Sequence, residues 1–104
     1  MLTKIYKFVN GETMIADWDS TDNPDPANSD VTFVRRPLKM TFTQQGIALQ
    51  MWCPSDMDKP VAVATAHILT ESVCIDQLAA EYRSKFQPQI VSPEPPKLIV
   101  PGQP

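Results

Sequence analysis

Phe8-Val9-Asn10-Gly11-Glu12-Thr13-Met14-Ile15-Ala16-Asp17-Trp18 is the stretch on which the fold turns. It ends one strand, turns at Asn10-Gly11 and opens a second strand. A two-residue hairpin turn of the I′ type needs φ > 0 at both central positions. Gly adopts that conformation without a Cβ clash, and Asn tolerates it better than most residues. Ile5, Tyr6, Phe8 and Val9 precede the turn. After it, Met14, Ala16 and Trp18 share one face, and Thr13, Ile15 and Asp17 the other. A period of two with a mixed second face predicts a strand buried on one side only. The competing reading is a loop between two unrelated strands, but Asn-Gly between apolar runs favours the hairpin.

Working outward, residues 2–9 and 12–18 are the first two strands. Asp19 to Asp30 is rich in Asp, Pro and small polar residues and is a loop. It lacks the alternating oxygen ligands, central Gly and closing Glu of a calcium loop, so it reads as a solvated connection. Val31 to Phe42 is a long strand whose apolar parity breaks at Arg35-Arg36-Pro37. Pro cannot donate to a ladder, so a bulge belongs there, and a bulge bends the strand as small barrels require. Thr43-Gln44-Gln45-Gly46 is a turn, 47–52 the fourth strand, 53–60 a loop bracketed by prolines, and 61–69 the fifth strand. Ala62, Ala64 and Ala66 alternate along that last strand, and a row of small side chains suits close approach of another subunit.

From Asp76 to Phe86 the period changes. Leu78, Ala79, Tyr82 and Phe86 form one apolar stripe, with Gln77, Glu81, Arg83 and Lys85 outside it. Asp76 fits an N-cap, and Arg83 and Lys85 suit the negative end of the dipole. This predicts a helix of about three turns that covers one open end of a barrel. Residues 87–104 hold six of the eleven prolines and form an extended tail, mobile from about Pro93 onward. Within it, Ile90-Val91 and Leu98-Ile99-Val100 are apolar enough to dock as short extended pieces. Residues 1–86 thus make one barrel-plus-helix domain: mainly β, five-stranded, strongly bent and antiparallel, of the small SH3-like type.

Composition bounds the function. A net charge of −3 and a pI near 4.9 do not describe a strongly basic nucleic-acid binder. No signal peptide opens the chain, no apolar run reaches a membrane span, and the two cysteines have no paired spacing. The expectation is a cytoplasmic protein with free thiols and no membrane contact. His67 lies 14 and 7 residues from Cys53 and Cys74, unlike the close ligand pairs of zinc sites. Neither cysteine is marked as a low-pKa nucleophile. With three glycines, Gly11, Gly46 and Gly102, there is no phosphate-cradling loop. No catalytic residue, metal or cofactor is therefore expected, and an enzyme ranks last.

Val9, Gly11, Glu12, Ile15 and Ala16 resemble the opening of the first motif of the Sm/LSm family, in which a Gly turn precedes a strand that must bend. Arg35 or Arg36 with Pro37, Leu38 and Met40, then Ala66, His67, Ile68 and Leu69, follow in the order found in Sm-like proteins of tailed marine phages, cyanophages included. The resemblance spans Tyr6 to Phe86. It implies an Sm-like barrel, a homo-oligomeric ring of five to seven copies, and a role in phage or host RNA metabolism within the infected cell's cytoplasm. The alternative is a structural or protein-interaction ring without nucleic acid, serving a phage or host protein. The base-contacting Asp-x-x-hydrophobic-Asn element is replaced here by Asp22-Asn23-Pro24-Asp25-Pro26, so the family's RNA site does not carry over. The helix also follows the barrel, where the family's precedes it.

In rings of this family the loops after the second and fourth strands line the pore. Here they carry Asp19, Asp22, Asp25, Asp30, Asp56 and Asp58 against Lys59 alone. Single-strand binding needs a positive groove with stacking side chains. The expectation is RNA binding no tighter than a non-specific level of about 10⁻⁴–10⁻⁶ M. The basic pair Arg35-Arg36 reads first as a solvated rim or an intersubunit ion pair. If RNA binds, the better contact candidates are Arg35, Arg36 and Lys39, away from those loops, with Trp18 and Trp52 flanking the loops for stacking.

Overall fold

The computed structural model describes residues 1–52 and 57–86. The expectations for Cys53, Pro54 and Asp56, and for the proline-rich tail, lie outside the described residues. Six strands and one helix follow in order: β1 (Leu2–Phe8), β2 (Thr13–Trp18), β3 (Val31–Thr43), β4 (Gly46–Met51), β5 (Val61–Ala64), β6 (Ile68–Val73) and α1 (Asp76–Ser84). All pairings are antiparallel. The strand order is β4-β3-β2-β1-β6, with β5 paired to β3 alone.

The opening hairpin forms, with a different turn from the one expected. The Gly11 N–H donates to the Phe8 carbonyl, and the Phe8 N–H to the Glu12 carbonyl, both at 2.9 Å. The loop is therefore Val9-Asn10-Gly11, a β-turn followed by one left-handed residue. Gly11 supplies that residue with φ 90°, while Asn10 keeps negative φ and accepts the Glu12 N–H on its side chain at 2.9 Å. A three-residue loop ending in a left-handed Gly is the next commonest hairpin solution, and it needs one positive φ where the I′ turn needs two.

The break at Arg35-Arg36-Pro37 is a bulge. Ile15 pairs with Leu38 but Asp17 with Arg35, so β3 holds one residue more than its partner there. Arg36 takes φ 52°, a left-handed conformation that costs a side-chain-bearing residue about 1–2 kcal/mol. The bend divides β3. Its first four residues pair with β5 (Val31↔Ala64 to Val34↔Val61), and its last six with β4 (Leu38↔Met51 to Thr43↔Gly46).

The expected fifth strand is two. Thr65–His67 is a 3₁₀ turn that separates β5 from β6. The physical reason is placement: β5 lies against β3 and β6 against β1, so the chain must cross from one side of the sheet to the other. The sheet is consequently a curled antiparallel sheet with free ends. It is not the closed barrel expected, since no ladder among the described residues joins β4 or β5 to β6.

Both faces of the sheet are buried at its centre, where one was expected. On the concave face, Tyr6, Phe8, Met14, Ala16 and Val34 pack together, with Trp52, Val61, Val63 and Ile68 around them. On the convex face, Ile15, Leu38 and Cys74 pack against Ala79 and Tyr82 of α1. The helix therefore lies over the convex face of the sheet instead of capping a barrel end. It ends at Ser84, and Asp76 is its first residue, with Ile75 in the cap position and no side-chain cap.

Candidate functional site

The RNA-contact candidates are held by carboxylates. Arg35 Nε and Nη2 donate to the two oxygens of Asp22 at 2.8 and 2.9 Å, and Nη1 to the Asp58 carbonyl at 3.2 Å. That bidentate bond is the main cause of a lowered Asp22 pKa and a raised Arg35 pKa. Arg36 stands 3.9 Å from Asp17, and Lys39 3.5 Å from Glu12. The polar loop is built rather than merely solvated. Buried Asn23 donates to the Asp19 and Phe33 carbonyls and accepts the Phe33 N–H. Asp19 accepts both the N–H and the hydroxyl of Thr21, which lowers its pKa.

The two tryptophans do not form one stacking platform. Trp18 pairs with Leu2 at the start of β1 and carries the Lys4 ammonium 4.3 Å from its ring centroid. Lys4 also reaches Glu71 at 3.4 Å. Trp52 packs on Phe8 at the other end of β1, ring centroids 5.1 Å apart, beside Val9, Val63 and exposed His67. Leu2 and Phe8 are six steps apart along an extended strand, about 20 Å.

Beneath α1 lies a polar knot that sequence reasoning missed. The Tyr82 hydroxyl donates to the Arg36 carbonyl at 2.7 Å, with the Arg35 carbonyl at 3.3 Å. Arg36 falls in the register break between the Ile15–Leu38 and Asp17–Arg35 pairs, so the helix supplies a donor to a carbonyl at the bend. The Thr3 hydroxyl donates to buried Asp17 at 2.9 Å, and Arg83 Nη2 donates to Thr3 Oγ1 at 3.1 Å. Burial, followed by the Asp17 charge, pushes the Tyr82 phenol above its ordinary pKa. Burial likewise raises the free Cys74 thiol against a smaller opposing effect of Arg83, which is the setting of a packed, unreactive cysteine. On the concave face the Tyr6 hydroxyl is buried with no hydrogen-bond partner among the described residues. Burial raises its pKa also, with Glu71 adding to the shift.

What remains uncommitted is at the margins. β4 and β6 end the strand order, so each keeps one backbone edge without a ladder partner among the described residues. Ile47 and Met51 on β4 are 44% and 59% exposed, and Leu69 and Val73 on β6 are 63% and 62% exposed. Ala62 and Ala64 lie exposed on β5, on the face shared with Phe33 and Val31. Ala66 is exposed in the 3₁₀ turn, off the strand. Leu69 and Val73 were legible as apolar positions, but only the topology reveals that their strand is an edge. Among the described residues no group of three His, Cys, Asp or Glu is placed to hold a metal ion. No helix among them is long and apolar enough to cross a membrane. Compared with known protein families and with curated proteins, the chain matches none.

Proposed function

We propose that this protein is a non-enzymatic assembly module of the Sm-like kind, whose copies join edge to edge, β4 of one against β6 of the next. The observation that carries this reading is the pair of unpaired, apolar-flanked edges at opposite ends of one curled sheet. Exposed edges template pairing with another chain, and natural monomers blunt them with charge, Pro or cover. Contact between two different edges is head-to-tail, and when the rotation closes it gives a ring. The strand order and the bend at Arg36 support the SH3-like and Sm-like reading of the sheet.

Of the two roles the resemblance implies, the protein-interaction ring is favoured over the RNA-associated one. Arg35, Arg36 and Lys39 each face a carboxylate, and a phosphate backbone would have to displace it. Light scattering tests the assembly: the wild-type chain is expected to be multimeric at micromolar concentration, and Leu69→Lys/Val73→Lys monomeric and folded. A monomeric wild type rejects the reading. Fluorescence anisotropy with short oligoribonucleotides separates the roles, because submicromolar binding at physiological salt would restore the RNA-associated ring.

A further inference from the structure

Helix α1 covers the convex face only in part. Cross-strand pairing of Leu38 with Met51, Met40 with Leu49 and Phe42 with Ile47 brings the β4 side chains to the same face as Leu38. Ala79 and Tyr82 seal the Leu38 end of that surface, and between α1 and β4 a cleft of about 490 Å³ stays open. Its floor is Ile47, Leu49 and Leu78, with Ile75 at one end. Glu81 and Lys85 form the helix rim. Leu78, Glu81 and Lys85 recur at three and four residues, so the cleft follows the helix axis over about 10 Å. Ile47 and Ile75 remain exposed.

The chain itself leaves α1 at this cleft. Lys85 lines the cleft, and Phe86 is the last residue described before Gln87-Pro88-Gln89-Ile90-Val91-Ser92. This stretch carries no charge. Pro88 prevents the helix from continuing, because it has no N–H and its ring clashes with the preceding turn. Ile90 and Val91 come four and five residues after Phe86, a reach of about 13–18 Å for extended chain, enough to run the length of the cleft. Leu98-Ile99-Val100, the other apolar piece, stands beyond Pro93 to Lys97, which include two charges and three prolines.

We propose that residues 89–92 fold back along α1 and fill the cleft, with the Ile90 and Val91 side chains against Leu49 and Leu78. The tether keeps the segment at high local concentration, so a small apolar contact suffices. The outer backbone edge of β4 stays free, and the proposal does not rest on edge-to-edge assembly. The occupant is the protein's own chain; a second copy in the cleft is the competing outcome.

Methyl-resolved nuclear magnetic resonance on the full chain tests this. Expected are cross-relaxation contacts from Ile90 and Val91 methyls to Leu49 and Leu78, unchanged on dilution and absent between differently labelled copies. Ile90→Ser/Val91→Ser is expected to shift the Leu49, Leu78 and Ile75 methyls, and Leu98→Ser/Ile99→Ser to leave them in place. Unchanged methyl shifts of Met14 and Val34, in the opposite core, check that each variant keeps the fold. Random-coil shifts at Ile90 and Val91 would overturn the proposal. So would contacts found only between copies, or a response to the Leu98/Ile99 variant alone.

Discussion

The two faces of the sheet are each centred on a buried tyrosine, and the two are held differently. Tyr6 sits inside the concave face among Phe8, Met14, Ala16 and Val34, its hydroxyl without a described partner. Tyr82 reaches the convex face from α1 and ends on the carbonyls of the β3 bulge. The concave core is made by strands curling round their own side chains. The convex core exists because a helix arrives from the far end of the chain with both an apolar side and a donor. With both faces closed at the centre, the apolar surface left over falls at the edges and in the cleft beside β4. The functional reading follows from that distribution.

The largest test of the contrast is Tyr82→Ala. It removes the helix anchor and the donor together, and a loss of about 3–5 kcal/mol is expected in denaturant unfolding. Next is β2, where Met14 and Ile15 point to opposite faces. Met14→Ala and Ile15→Ala should each cost about 2–5 kcal/mol. If Ile15 faced solvent, its truncation would fall within about 0.5 kcal/mol, and the two-faced core would be wrong.

Smaller but sharper is the pair Tyr82→Phe and Tyr6→Phe. The first removes the donor to the Arg36 carbonyl at the bend and should cost about 1–3 kcal/mol. The second removes a hydroxyl with no described partner and should be neutral or stabilising. Equal losses would erase the distinction between the two faces.

The smallest effect is at Asp22. Its folded pKa is depressed by Arg35, so its contribution is complete above the unfolded value of about 3.9 and is lost as pH falls through the folded value. Asp22→Asn should therefore flatten the acid limb of stability below about pH 4 and leave its slope near neutral pH as it was. An unchanged acid limb would mean that the ion pair does not fasten the loop.

The parts that sequence revealed are those set by local chemistry. Asn10-Gly11 placed the hairpin, although Gly11 alone takes the left-handed turn. The parity break at Pro37 placed the bulge, and the stripe through Ala79 and Tyr82 placed the helix. What sequence hid depends on contacts between distant segments. Ile15 looked solvent-facing because the helix that buries it lies about sixty residues away. Residues 61–69 looked like one strand because nothing local says that β5 serves β3 and β6 serves β1. Arg35 and Arg36 looked like a basic pair because their partners, Asp22 and Asp17, are separated from them in sequence.

Amide hydrogen exchange at the two edges tests edge-to-edge assembly most directly. In the multimer, alternate amides along β4 and β6, those facing away from β3 and β1, are predicted to be protected. They should lose that protection on dilution or in Leu69→Lys/Val73→Lys, while β1 and β2 stay protected throughout. Edge amides that exchange freely in a multimer, with new protection elsewhere, would contradict the account.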